Sequence, residues 1–229
     1  MTEKHIYLIR HGQSEQNARV VDMRDIPDHA ITLSEHGVSQ ANLVGQFLKE
    51  HFGQRNISTS QIRLWRSPYE RTRQTSRGIL EHLPVEDVRE DEMLTELQFG
   101  LFHGLTHEEC EARFPFEYAQ YQMMRRFNGK YYAKRPNGES PFDCEVRQKL
   151  FIDTLYRDFM KNDGVDHIII VGHGAAINIF RKAFFHYSHE WYEKERNPDN
   201  CSVQHICIRP DQNIDAGYIY GGPDPHDRI

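Results

Sequence analysis

The chain has 229 residues, 38% hydrophobic and 27% charged, with 28 Lys and Arg against 34 Asp and Glu for a formal charge of −6. This composition is ordinary for a folded globular chain and excludes a disordered tract, a collagen-like fibre and a disulfide-stapled mini-protein. The acidic balance argues against a general polyanion binder, so no nucleic-acid partner is expected, while a local basic pocket stays open.

No window approaches the roughly 18 consecutive apolar residues that a membrane span needs, and no membrane partner is expected. Met1 to His5 runs straight into Ile6–Ile9, too short an apolar stretch for a secretory signal. Cys110, Cys144, Cys201 and Cys207 show no CxxC spacing, so free thiols and a cytoplasmic location are the expectation.

Taken in chain order, Ile6–Ile9 is an unbroken apolar run, as a buried parallel strand requires. Thr32-Leu33-Ser34-Glu35 reads as a capping box, opening a helix with Val38, Ala41, Val44, Gly45 and Leu48 at helical spacing. Ile62–Trp65 is a second strand, and Ser67-Pro68-Tyr69-Glu70 reads as another box with proline at the first helical position. Thr106-His107-Glu108-Glu109 opens a third helix. The stretch from about 102 to 141 is rich in aromatic and basic residues and reads as a largely helical, lid-like excursion from the sheet. Ser140-Pro141-Phe142-Asp143 starts a helix whose expected apolar face is Phe142, Val146, Leu150 and Phe159. Ile168–Val171 is a third buried strand, Ala175–Phe185 the helix after it, and Val203–Ile208 suits an edge strand. The alternation predicts an α/β fold, a three-layer sandwich with a mostly parallel central sheet flanked by helices, plus a helical lid insertion. A single domain over 1–220 and a flexible tail over 221–229 complete the expectation.

Two buried strands end alike. Ile9 is followed by Arg10-His11-Gly12 and Val171 by Gly172-His173-Gly174. In an open α/β sheet ligands bind beyond the carboxyl ends of the strands, so both histidines fall where a site belongs. The adjoining glycines would let a ligand approach the backbone. Arg71, in the helix after the Ile62 strand, would form with Arg10 the second arm of an anion clamp, while Arg73 points away toward solvent.

Together, Arg10-His11-Gly12, Ser67–Thr75, Leu94-Thr95-Glu96-Leu97-Gln98-Phe99-Gly100 and Val171-Gly172-His173-Gly174 resemble, in order and over nearly the whole chain, the histidine phosphatase superfamily in its phosphoglycerate mutase-like branch. Ser14, Asn17 and Leu33-Ser34-Glu35-His36-Gly37 add to the likeness. The resemblance implies that His11 is the nucleophile that becomes phosphohistidine and that Arg10, Arg71 and His173 hold the phosphoryl oxygens. It makes Asn17 a further donor and Glu96 the proton donor. Elementary chemistry fits these roles. Transfer of a dianionic phosphoryl group depends mainly on positioning and charge stabilisation, which two guanidinium forks supply without a metal or cofactor. The histidine must attack as neutral imidazole, which nearby arginines favour, with its other nitrogen held by a backbone carbonyl.

Whether water or a second hydroxyl receives the phosphoryl group separates phosphatase from mutase. Gly104-Leu105 is followed by Thr106-His107, where the resembling mutases carry Asn-Lys, whereas Arg125-Arg126 matches their paired arginines. Lys130-Tyr131-Tyr132 ahead of Pro136-Asn137-Gly138-Glu139-Ser140, together with Asp28-His29-Ala30, is similar to plant and fungal phosphoglycerate-mutase-like phosphatases. Hydrolysis of a small phosphorylated substrate is therefore the expectation. Mutase-type transfer and a non-catalytic phospho-ligand- or partner-binding role are the alternatives. Arg113, Arg125, Arg126, Lys130 and Arg135 are candidate substrate contacts, although for any single one of them packing or solvated surface is the favoured reading. A homodimer is left open.

Overall fold

The structure is a computed structural model that describes residues 2–22, 25–161 and 163–222. A six-stranded sheet is built from β1 (Lys4–Arg10), β2 (Ile62–Arg66), β3 (Val88–Glu90), β4 (His167–Gly172), β5 (Val203–Ile208) and β6 (Ile214–Tyr220), in the order β3-β2-β4-β1-β5-β6. The β3–β2, β2–β4 and β4–β1 pairs are parallel. The β1–β5 and β5–β6 pairs are antiparallel. Val203–Ile208 is therefore an interior strand and not the expected edge. The short β3 and the polar β6, neither carrying a strong apolar run, cover the two flanks.

Strand pleating sorts the core into two layers. Ile6, Leu8, Ile168 and Ile170 face α5 (Pro141–Met160) and α6 (Gly174–Phe185), packing with Phe151, Leu155 and Phe180. Tyr7, Ile9, Ile169 and Val171 face α1 (Glu35–Gly53) and α2 (Glu70–His82), packing with Val44, Leu48 and Ile79. The expected α/β sandwich is thus present.

Several local expectations shift. Ser34, not Thr32, caps α1 by accepting from Gly37 N–H, because Thr32 donates instead to Glu15. Helix α2 begins at Glu70 with no side-chain cap, so Ser67 and Pro68 lie before it; Ser67 is left free for another partner. Thr106 with Glu109 and Ser140 with Asp143 do form reciprocal capping boxes, opening α3 (His107–Arg113) and α5. The face of α5 differs from expectation. Phe142, Val146 and Leu150 are exposed, while Cys144, Gln148, Phe151, Ile152 and Leu155 are buried. Both stripes have helical spacing, and the second wins because Gln148 also satisfies the Met93 carbonyl at 2.8 Å.

The excursion between 102 and 141 is helical, comprising α3 and α4 (Pro115–Tyr132), the latter broken at Gly129 with φ +75°. Phe102, Cys110, Tyr121 and Ala133 form its own small core. The helix α7 (His189–Lys194) packs against its end, where Tyr131 meets Tyr192. Of the tail expected to be flexible, 223–229 lies outside the described residues. All four cysteines are free thiols. No helix among the described residues is long and apolar enough to cross a membrane.

The glycine after His11 does something other than admit a ligand. A Cβ on Gly12 would lie 2.5 Å from the Gly37 carbonyl oxygen, and one on Gly37 would lie 2.0 Å from the Gln13 carbonyl oxygen. The first turn of α1 is pressed against the backbone of the His11 loop, and only two glycines allow that approach. Gly37→Ala should accordingly cost about 1–3 kcal/mol by forcing the two backbones apart. It should also disturb the loop carrying His11. A lowered urea midpoint together with impaired phosphate-ester turnover would show both effects, and an unchanged midpoint would refute the contact.

Candidate active site

Three parallel strands deliver the site to one edge of the sheet. His11 follows β1, Ser67 follows β2 and His173 follows β4. Backbone bonds continue the ladder past the strand ends, from His11 N–H to the Gly172 carbonyl at 3.0 Å and from Ser67 N–H to the Val171 carbonyl at 3.1 Å. The His11 and His173 rings consequently stand 5.3 Å apart at 63°.

Both imidazoles are buried. His11 Nδ1 lies 2.7 Å from its neighbour's carbonyl, Gly12 O, which can only accept. The proton must therefore sit on Nδ1, leaving Nε2 as a free lone pair. His11 titrates well below the usual imidazole range, first through complete burial and then through the charges of Arg71 and Arg10, with the Gly12 bond opposing. His173 is lowered in the same way, by burial, then Arg71 and His11. The arginines were expected to keep His11 neutral; burial does more of that work.

Arg71 is buried in the first turn of α2. Its Nη1 donates to the Asp28 carbonyl at 2.6 Å and to Asp28 Oδ1 at 2.9 Å, and its guanidinium lies over the Tyr69 ring. Arg10 donates from Nη1 to the Pro198 carbonyl at 2.7 Å, while its buried Nε has no acceptor among the described residues. His173 Nε2 meets Ser67 Oγ at 2.9 Å, and its buried Nδ1 likewise has no partner among the described residues. Burial lowers the Arg10 pKa, with Glu96 and Asp199 opposing.

Glu96 enters from the loop after β3. Its carboxylate caps α6, accepting from Ala176 N–H at 3.1 Å and Ala175 N–H at 3.4 Å, and from Leu97 N–H at 2.9 Å. Asn17 is exposed at the mouth, its Oδ1 accepting from Ser14 N–H at 3.3 Å. Arg73 turns outward into a bidentate pair with Glu90.

The insertion's cations divide. Arg125, Lys130 and Arg135 line one cavity of about 400 Å³ with Phe99, Tyr118 and Tyr121. Arg113 and Arg126 lie outside it, over Phe114 and Phe127 respectively. None of the three lining cations is in contact with His11, so the structure gathers Arg10, His11, Arg71, His173 and Glu96 but not the whole basic set. Phe99 also lines a second cavity of about 270 Å³ with Asp28, Tyr69 and Gln98.

Two contributors escaped sequence reasoning. Asn200 Nδ2 donates to the His11 carbonyl at 2.8 Å. Its Asn-Pro-Asp-Asn setting signals a turn but not the turn's destination. Arg147 joins Glu139 to the carbonyls of Met93 and Glu96, pinning the Glu96 loop to α5. A charge in the middle of a helix carries no such signal.

The model of the histidine phosphatase superfamily (branch 1) matches residues 6–215. The chain belongs to that superfamily. It is 31% identical over 211 residues to the phosphoglycerate mutase-like protein AT74 of Arabidopsis thaliana, covering 88% of this chain but only 64% of the relative. It is 29% identical over 187 residues to fructose-2,6-bisphosphatase of Saccharomyces cerevisiae, covering 82% of this chain and 35% of that protein. The α-ribazole phosphatase of Shigella flexneri shares the fold with a TM-score of 0.73 at 20% identity, covering 96% of each chain.

Neutral buried histidines tie stability to pH. His51, His167 and His205 are pushed down to about 4, 3 and 4, chiefly by burial, and join His11 and His173. Unfolded histidines titrate near 6.5. Below that pH the unfolded chain binds protons that the folded chain refuses, so stability is greatest above about 6.5 and falls as the medium is acidified toward about 4. Urea midpoints should drop steadily through this window. A flat profile there would mean these rings are not neutral in the fold.

Proposed function

We propose that this superfamily member hydrolyses phosphomonoesters through a phosphohistidine formed on His11 Nε2. The observation that carries the reading is the buried imidazole whose Nδ1 proton is committed to the Gly12 carbonyl, leaving an unprotonated Nε2 beside two guanidiniums. Nε2 attacks phosphorus, and the bond from phosphorus to the ester oxygen breaks. Arg10 and Arg71 stabilise the equatorial oxygens, and His173 donates a further hydrogen bond through its unpartnered nitrogen. Asn17 adds a donor at the mouth. The departing alkoxide takes a proton from Glu96. Water then attacks the phosphohistidine and gives its proton to the same carboxylate, the P–N bond breaks, and phosphate leaves with His11 neutral again. Glu96 Oε2, with only the 3.4 Å contact from Ala175, is the oxygen freer to carry that proton.

Phosphate-ester hydrolysis is also what the name of the yeast relative describes. The alcohol portion of the substrate lies toward the insertion, since Phe99 borders both the cavity containing Arg71's partners Asp28 and Tyr69 and the cavity containing Arg125, Lys130 and Arg135. Arg126 is outside both, which weakens its candidacy as a substrate contact.

His11→Ala should lower hydrolysis of p-nitrophenyl phosphate in EDTA by about 10³-fold or more, and acid quenching of the wild-type reaction should trap an acid-labile phosphate on His11. A fully active His11→Ala would end the proposal. Glu96→Gln addresses the proton separately. Alkyl esters, whose leaving groups need protonation, should slow by about 10²-fold or more, while activated aryl esters slow much less. Equal losses for both ester classes would take Glu96 out of the acid role.

A further inference from the structure

At the opposite end of β1 from His11, the strand pair and the residue just before it bring together three potential ligands. His5 on β1 is the direct cross-strand partner of Cys207 on β5, and Tyr7 of His205. Alternation along each strand puts His5 and Tyr7 on one face, with His205 and Cys207 beside them, and Glu3, just before β1, reaches the same side. One carboxylate oxygen of Glu3, one ring nitrogen of His5 and the sulfur of Cys207 all lie within 4.8 Å of one another. We propose that Glu3, His5 and Cys207 form a binding site for one divalent transition-metal ion of zinc-like softness, with His205 orienting His5 from behind.

The ring of His5 is already set for this role. Its Nδ1 lies 3.1 Å from His205 Nε2, its plane stacks on His167 at 4.5 Å, and its Nε2 faces Glu3 Oε2 at 3.8 Å. If Nδ1 carries the proton and donates to His205, Nε2 is left as a lone pair on the side of the carboxylate and thiol. Metal-bound histidines characteristically commit their other nitrogen in this way.

Thiolate, imidazole and carboxylate together suit zinc, whose bond lengths place ligand atoms roughly 3.2–3.8 Å apart. Rotation of the exposed Glu3 side chain closes the remaining distance. The Cys207 thiol bonds to Glu3. Binding therefore replaces its proton, which leaves to solvent, by the metal. Arg209 and Asp215 flank the thiol with opposite charges, and Asp166 and Arg55 do the same for His5. One thiolate and one carboxylate then neutralise the divalent ion. His5 and His11 are six residues apart on an extended strand, about 20 Å, so the ion would staple the N-terminal segment to β5 and take no part in phosphate chemistry.

Titrating cobalt(II) into the full chain should produce a thiolate-to-cobalt charge-transfer band that saturates at one equivalent and is displaced by zinc. Cys207→Ser, nearly isosteric, should abolish the band. Glu3→Gln, outside any strand and so harmless to folding, should weaken binding. His205→Gln should lower affinity about tenfold or more. Hydrolysis of p-nitrophenyl phosphate should stay unchanged in all three variants, which also verifies that each is folded. No band in the wild type, an undiminished band in Cys207→Ser, or unaltered affinity in Glu3→Gln would overturn the site.

Discussion

An uncharged imidazole enclosed beside two guanidiniums organises this molecule. The charged form of His11 would face both a low-dielectric surround and two cations, so the neutral form is enforced from two directions. Neutrality alone leaves two tautomers, and the Gly12 carbonyl 2.7 Å from Nδ1 selects between them. That carbonyl belongs to the adjacent residue and cannot drift away from the ring. The loop holding it is fixed by the Gly12–Gly37 backbone approach, by Thr75 Oγ1 accepting from Gly12 N–H at 3.0 Å, and by Asn200 on the His11 carbonyl. The orientation of the His11 ring is thus set by close backbone packing backed by two side-chain hydrogen bonds.

The cations are restrained differently. Arg71 carries a resident carboxylate, Asp28, on one nitrogen, and the Tyr69 ring on its face. Both constraints leave the rest of its fork for an anion while limiting the orientations the guanidinium can adopt. Tyr69 is itself held by Gln98 at 2.9 Å and stands against His173 at 5.0 Å. The two residues expected to grip phosphate, one on α2 and one just after β4, therefore share one aromatic neighbour. Displacing that ring would move Arg71 and His173 together.

Sequence reading succeeded where short-range pattern and chemistry coincide. Ile6–Ile9 and Ile168–Val171 are apolar on both faces, as a covered parallel sheet favours, and Ile62–Trp65 follows the same pattern except for the buried, salt-bridged Arg63; the ends of the three strands locate His11, Ser67 and His173. Reading failed where two patterns compete locally and tertiary contact decides. Helix α5 carries two stripes of equal periodicity, and the polar Gln148 and Asp158 lie on the buried side because Met93 O and the Trp65 indole await them. Ser67 has the look of a cap, yet it serves His173 across 106 positions of chain. Asn200 reaches His11 across 189. Such long-range hydrogen bonds have no period, so neither hydropathy nor turn chemistry announces them.

The same property of a strand explains both ends of β1. Pleating alternates side chains, but at the carboxyl end the chain leaves the sheet within one residue of Arg10, and the backbone rather than the pleat aims His11. At the amino end the chain is still paired with β5, and the pleat lines up His5 with Cys207 while Glu3 reaches in from just before the strand. A site aimed by a loop can gather groups from three strands and a helix, as phosphoryl transfer demands of donors converging on one phosphorus. A site aimed by the pleat is confined to one face and two strands, giving few ligands at fixed spacing. That geometry suits a compact ion far better than an extended substrate, and it separates the two ends of the strand by chemistry as well as by distance.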